Sequence, residues 1–136
     1  MRAHWLAAAS ILAVACGTTP VPSSGAKPVP PDRIYAPAFT KAHDGSSFLV
    51  VTRDSGLKGK ACTVRFYIDG THVADLRTSE QVRLFVEEGE HLVGVSAQGC
   101  LGGSDQMSIV ATQAKPTLLH IQAGHGEGLK IKPSAF

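Results

Sequence analysis

The alternation of apolar and polar residues after position 62 constrains the fold of this chain more than any other feature of its sequence. Between Cys62 and Ile68, apolar side chains occupy every second position. A period of two is typical of a β-strand with one buried and one exposed face. Asp69-Gly70 follows immediately, and this pair favours a tight hairpin, because a type I′ turn needs positive φ at both central residues. The sequence therefore predicts a strand over 62–68 that turns back on itself.

The same rhythm recurs along most of the remaining chain. Further strands are predicted over 47–53, 71–77, 80–86, 90–98, 107–112, 119–123 and 129–132. Seven or eight short strands separated by turn signals are typical of a small antiparallel β-sandwich. We therefore predict an all-β fold, and a chain of 136 residues has room for one such domain.

The first 16 residues predict a targeting segment. Trp5 to Ala15 is apolar apart from Ser10, and it is too short to span a bilayer, which needs about 20 apolar residues. It is typical of a secretory signal peptide, here residues 1–15. The small residues before Cys16 resemble the bacterial lipobox, in which the cysteine is lipidated and the signal removed. The alternative is ordinary signal cleavage that leaves Cys16 as a free thiol.

Three cysteines, Cys16, Cys62 and Cys100, fit the same interpretation. If Cys16 carries lipid, Cys62 and Cys100 remain to form one disulfide in an oxidising compartment. The alternative is two separate thiols. Gly17 stands where lipoproteins retained at the inner membrane of Gram-negative bacteria typically have Asp, so the resemblance to lipoproteins implies the outer membrane.

Residues 16–32 are rich in Pro, Gly, Ser and Thr and show no period, which predicts a flexible tether. The folded domain is then expected over 33–136. If successive strands reverse direction, the tether enters strand 47–53 at one end of the sandwich. The loops 54–61, 98–105 and 124–128 are then expected at the other end, away from the membrane.

Loops on a rigid scaffold are the usual place for binding. The candidate partner-binding side chains in these loops are Leu57, Lys58, Lys60, Leu101 and Asp105. The alternative is that they belong to solvated turns without a partner.

Composition and motifs argue against catalysis, cofactors and nucleic acid. The formal net charge is only +2, too small for a nucleic-acid footprint. The histidines after the signal, including His120 and His125 beside a glycine-rich turn, lack metal-ligand spacing. No serine lies in a G-x-S-x-G elbow. We therefore predict a non-catalytic protein that takes no metal and no cofactor.

Three segments, Val64–Gly70, Val82–Val86 and Gly89–Val95, resemble PEGA-type domains and small uncharacterised bacterial lipoproteins with the same pattern. Glu87–Glu90 stands where that group has Pro-Glu-Gly-Ala. The resemblance implies a small β-sandwich at the cell envelope, and it supplies no catalytic residues.

These inferences predict an outer-membrane lipoprotein whose sandwich faces the periplasm and binds a protein partner. One alternative is an inhibitor or immunity lipoprotein that inserts loop 54–61 into an envelope-targeted hydrolase. Another is a structural subunit of a secretion or envelope complex.

Overall fold

β-Strands account for most of the residues that the structure describes. A computed structural model of the chain describes residues 18–19, 21, 25–56, 62–98, 103–124 and 128–134. The strands in these ranges are β1 (Thr18–Thr19), β2 (Lys27–Pro28), β3 (Ser46–Arg53), β4 (Ser55–Gly56), β5 (Thr63–Ile68), β6 (Thr71–Leu76), β7 (Glu80–Glu87), β8 (Gly89–Gln98), β9 (Ser104–Ala111), β10 (Thr117–Gly124) and β11 (Gly128–Pro133). Two short 3₁₀ helices span Pro31–Arg33 and Pro37–Thr40.

Nine of the described strands form two sheets that pack face to face, which confirms the predicted all-β sandwich. The five-stranded sheet has the order β11-β10-β3-β7-β2, and the four-stranded sheet has the order β6-β5-β8-β9. The four-stranded sheet is antiparallel throughout its described pairs. The five-stranded sheet contains two parallel pairs, β10 with β3 and β2 with β7. The predicted antiparallel sandwich, in which successive strands reverse direction, does not include such pairs.

The predicted alternation decides which side chains form the core. Val64, Phe66 and Ile68 on β5 are almost completely buried, and they pack in one cluster with residues of the five-stranded sheet such as Leu84 and Leu119. Each side chain of this size stabilises the fold by about 1.5–3 kcal/mol when it leaves water. The hairpin signal after β5 is also confirmed, because Asp69 and Gly70 both have positive φ.

Part of the segment expected to be a tether belongs to the fold, so the expectation that folded sequence begins near Arg33 is wrong. Val29 is 6% exposed and lies in the core cluster. The amides of Lys27 and Val29 donate to carbonyls of Ser79 and Gln81 at 2.9 Å. Because neighbouring amides of a strand alternate in direction, the intervening Pro28 needs no N–H toward β7, and a proline is tolerated in such an edge strand.

The chain also enters the sandwich at the end opposite to the one expected from strand directions. Thr18 pairs with Gly56, and the buried Val21 donates its amide to Asp54 Oδ1 at 3.3 Å. Asp54 directly follows β3, so the described residues around position 20 lie where β3 ends. This pairing satisfies backbone hydrogen-bonding groups of β4. The composition of a Pro-rich segment does not indicate that it will pair with such groups elsewhere in the chain.

The described residues beside the predicted loops lie at the expected end of the sandwich, but the loop 98–105 is shorter than predicted, because Ser104 and Asp105 belong to β9. β10 runs parallel to β3, so both strands finish at the same end. The guanidinium of Arg53 donates to the carbonyl of Cys62, and Thr63 pairs with Gln98. The residues flanking 54–61, 98–105 and 124–128 therefore gather at one end of the sandwich.

Arg33 joins the two sheets beside β2. Its guanidinium donates to both carboxylate oxygens of Glu80 on β7, at 2.7 and 2.5 Å, and to the Asp75 carbonyl on β6 at 3.1 Å. Burial raises the pKa of Glu80, but the hydrogen bonds from Arg33 and the Arg77 amide and the charges of both arginines outweigh it, so the pKa lies below its usual value. This ion pair fixes the first 3₁₀ helix across the edge of the sandwich.

Candidate functional site

Most of the side chains that the sequence proposes as partner-binding fall outside the described residues. These are Leu57, Lys58, Lys60 and Leu101. Asp105 is described, and its Oδ2 accepts a hydrogen bond from the Ile131 amide at 2.9 Å. This bond ties β9 to β11 of the other sheet, so the carboxylate of Asp105 stabilises the sandwich.

Cys62 is buried and disulfide-bonded. Cys16 and Cys100 lie outside the described residues. The register pairs Thr63 with Gln98, so the beginning of β5 lies beside the end of β8, two residues before Cys100. The Cys62–Cys100 pairing remains a prediction that this register supports.

The two outer faces of the sandwich differ in what they expose. Among the described residues, the exposed large hydrophobic side chains are Tyr35, Leu92 and Val110. Leu92 and Val110 point outward from β8 and β9, and Tyr35 packs beside β6, so all three belong to the outer face of the four-stranded sheet. On the outer face of the five-stranded sheet, by contrast, Thr52 and His120 are buried. The outer face of the four-stranded sheet is therefore the more accessible of the two and the candidate binding surface.

A shallow groove with a volume of about 480 Å³ crosses this exposed face. Its floor is Gly94, which pairs with Tyr67 on β5 and with Gln106 on β9. Because Gly94 has no side chain, the outward residues around it leave a gap. Leu92 and Ser96, the adjacent outward residues of β8, form its walls. A second hollow of about 490 Å³ lies beside β2, so the side chains that line the groove, and not its volume, make it the candidate site.

The rings of Tyr67, His72 and Tyr35 continue the line of the groove toward the β6 edge of the sheet. We call these three residues the ring row. The ring centroids of Tyr67 and His72 are 5.3 Å apart, and those of His72 and Tyr35 are 4.4 Å apart. Asp75 fixes two of them: His72 Nε2 donates to its Oδ1 at 2.7 Å and the Tyr35 hydroxyl to its Oδ2 at 3.0 Å. The hydrogen bond to Asp75 raises the pKa of Tyr35.

A β-bulge brings His72 and Asp75 to the same face. The register shifts between Phe66 and Tyr67, so that Tyr67 pairs with His72 whereas Phe66 pairs with Ala74. Both residues between His72 and Asp75 are fully buried. In a regular strand, positions 72 and 75 would point to opposite faces, and the extra residue of the bulge corrects this.

Hydrogen-bonding groups without charge dominate the groove. Ser96, Ser104 and Tyr67 contribute hydroxyl groups, and Gln106 contributes a carboxamide. Among the described residues that line the groove, Asp105 alone is charged at neutral pH, and one of its oxygens is held by the Ile131 amide. The groove is therefore suited to a polar, uncharged ligand. Sequence reasoning missed it, although Gly94 inside a strand is a signal for close approach of another group.

A second polar cluster stabilises the N-terminal part of the fold. Asp54 is 2% exposed, and its Oδ1 accepts hydrogen bonds from His120 Nδ1 at 2.5 Å and from the Val21 amide at 3.3 Å. Its Oδ2 has no hydrogen-bond partner among the described residues. His120 therefore binds a carboxylate of the fold, and His125, its expected neighbour, lies outside the described residues.

Comparisons with known proteins give no relative. No family model matches the chain. No curated protein and no solved structure matches it. Within the described ranges, no three His, Cys, Asp or Glu side chains come together as metal ligands. No helix in that same part of the chain is long and apolar enough to cross a membrane.

Proposed function

We propose that this chain is a non-catalytic binding module of the bacterial cell envelope, held at the outer membrane by lipid on Cys16. Its ligand, a component of the envelope, lies on the outer face of the four-stranded sheet. The observation that carries the proposal is the groove around Gly94, which crosses the face where Leu92 and Tyr35 are exposed. Concave surfaces with a few convergent polar groups are common places for ligands to bind.

The chemistry of the groove supports binding. Ser96 and Ser104 are its serine hydroxyls, and nucleophilic catalysis would need a general base hydrogen-bonded to one of them. The described histidines instead bind carboxylates of the fold, as His72 does with Asp75 and His91 with Asp69. The groove therefore offers hydrogen-bonding groups and contact area to a ligand, and we propose that it binds without catalysis.

The anchor rests on the sequence. The lipobox-like residues before Cys16 and the resemblance to PEGA-type lipoproteins both support acylation, and several acyl chains are needed for stable attachment. We expect Cys16→Ala to move the protein from the membrane fraction to the soluble fraction. Lys132→Ala, at an exposed position of β11, is the control and should leave the protein with the membrane. Equal partitioning of wild type and Cys16→Ala would contradict the anchor.

Photo-crosslinking in intact cells tests the binding face. p-Benzoylphenylalanine replaces Gln106 at the rim of the groove or, as a control, Lys132, which is exposed on the five-stranded sheet. We expect adducts from position 106 and none from position 132. Digestion of the adducts with a protease or a glycosidase tells whether the captured component is a protein, the class expected from the sequence, or a glycan. Adducts in equal yield from both positions, or from neither, would refute this face as the binding surface.

A further inference from the structure

We propose that the groove and the ring row together bind an uncharged glycan chain that lies across the strands of the four-stranded sheet. The proposal rests on the binding function above and names the class of its ligand. It follows from three properties of the face: its linear shape, the nature of its side chains and the pairing of its backbone.

The first property is a continuous line of sites across the sheet. His72 pairs with Tyr67, Tyr67 with Gly94, and Gly94 with Gln106. Adjacent strands lie about 4.8 Å apart, so these four positions span about 14 Å. Tyr35, stacked on His72 at 4.4 Å, lengthens the line beyond the edge strand. A chain of several sugar rings matches such a long and shallow site better than a compact metabolite does.

The second property is the combination of ring faces with uncharged hydrogen-bonding groups. The C–H groups on one face of a pyranose ring carry a small positive charge and pack against the negative face of an aromatic ring. Tyr67 offers such a ring at the end of the groove. Ser96, Ser104 and Gln106 offer hydroxyl and amide groups that both donate to and accept from sugar hydroxyls. The charged side chains beside the ring row, Arg65 and Asp75, are opposite in sign and pair across β5 and β6, so this face offers no excess of one charge to a strongly charged polymer.

The third property disfavours an extended peptide. β5 and β8, which carry the groove, are paired with strands on both sides, so their backbone groups are already used. The free edge of β6 is also occupied, because the Tyr35 amide donates to the Val73 carbonyl at 2.8 Å. A peptide that lies across the strands in this groove would lack the main-chain partners on which strand addition depends. A peptide added along the outer edge of β9, which ends the sheet, would lie beside the groove and not in it. A glycan has no backbone amide ladder to satisfy.

Two variants and one control test the proposal. Gly94→Val fills the groove floor. A Cβ at Gly94 lies 3.6 Å or more from its nearest neighbours, and we expect the methyl groups to extend outward into the groove. Tyr67→Leu removes the ring face while keeping an apolar side chain. Ser108→Val adds the same side chain to the same face, on β9 outside the groove. Circular dichroism and thermal unfolding verify that each variant folds.

The probes are chitotetraose and cellotetraose, which are uncharged tetrasaccharides with and without acetamido groups, titrated at millimolar concentration and followed by amide NMR. We expect one or both to shift the amides of residues 94–96 and 104–106 in a saturable manner. Gly94→Val and Tyr67→Leu should each weaken binding at least tenfold, and Ser108→Val should leave it unchanged. The proposal fails if neither sugar shifts these amides, or if Gly94→Val binds like the wild type. If the crosslink at position 106 captures a protein and neither sugar binds, the glycan is wrong while the binding function stands.

Discussion

At the scale of single residues, His91 shows how protonation stabilises a turn. Its Nδ1 lies 2.6 Å from Asp69 Oδ2, and its Nε2 lies 2.7 Å from the Glu87 carbonyl. Both neighbours accept hydrogen bonds, so both contacts form only when both ring nitrogens carry protons. Burial opposes that charge, but the hydrogen bonds and charges of Asp69 and Glu87 outweigh it and raise the pKa of His91 above 6.5.

An NMR titration of the imidazole should therefore find His91 protonated above pH 6.5, with Asp69→Asn lowering its pKa. A pKa raised by folding gives stability that is complete below pH 6.5 and is lost as pH rises through the folded pKa. Asp69 is half exposed, so we expect a contribution of about 1 kcal/mol. Asp32→Asn, an exposed carboxylate elsewhere, should leave the pKa of His91 unchanged. A wild-type pKa at or below 6.5 would disprove the doubly bonded imidazolium.

At the scale of elements, Gly89 determines how the chain passes from β7 in one sheet to β8 in the other. Its φ is +121°, a conformation that residues with a Cβ rarely adopt. We expect Gly89→Ala to lower the free energy of unfolding by about 1–3 kcal/mol, as measured by urea denaturation. The cause is backbone strain, because an added Cβ would meet nothing within 4 Å.

Gly94→Ala is the matched control, since it makes the same change five residues later in the same strand. Gly94 has no positive φ, and its added Cβ would make only ordinary contacts. We expect no loss of stability, or a gain of up to about 1 kcal/mol from reduced freedom of the unfolded chain. If Gly89→Ala and Gly94→Ala lowered the free energy of unfolding equally, positive φ would not be the cause of the loss at Gly89.

At the scale of the whole molecule, the N-terminal segment completes the core. Val29 lies among residues expected to be a tether, yet it is 6% exposed within the core cluster. We expect Val29→Ala to lower the free energy of unfolding by about 2 kcal/mol, from lost burial and the cavity that remains. Val110→Ala, at a side chain that is 70% exposed, should change it by less than about 0.5 kcal/mol. Similar effects of the two changes would place Val29 outside the core.

If Cys16 is acylated as proposed, the same segment sets the orientation of the domain on the membrane. Thr18, which pairs with Gly56, is two residues from Cys16, a reach of at most about 7 Å. With Cys16 acylated, the end of the sandwich that carries Ser55 lies against the bilayer, opposite to the orientation expected from the sequence. Paramagnetic lipids should then broaden the amide of Ser55 in the lipidated protein and spare Asp44, which precedes β3 at the other end. The reverse pattern would refute this orientation.

The sequence by itself determined the positions of most strands of the two main sheets from β3 onward, and which of their side chains face inward. β4 was not predicted, and β9 begins at Ser104, before the predicted start at Met107. The alternation from Val64 to Ile68 and the turn at Asp69-Gly70 are local properties, because pleating and φ depend on residues that are neighbours in the chain. The sequence also predicted that Gly94 and Tyr67 lie in strands. It did not predict that these two residues lie side by side on β8 and β5.

Only the tertiary structure decided which strands pair, that Val29 joins the core, and that a bulge brings His72 and Asp75 to one face. These features depend on hydrogen bonds between main-chain groups of distant segments. Every residue except proline carries the same backbone amide and carbonyl. The identity of a side chain therefore does not indicate with which distant segment its backbone will pair. The face that we propose as the binding surface therefore exists only once the sheets have formed.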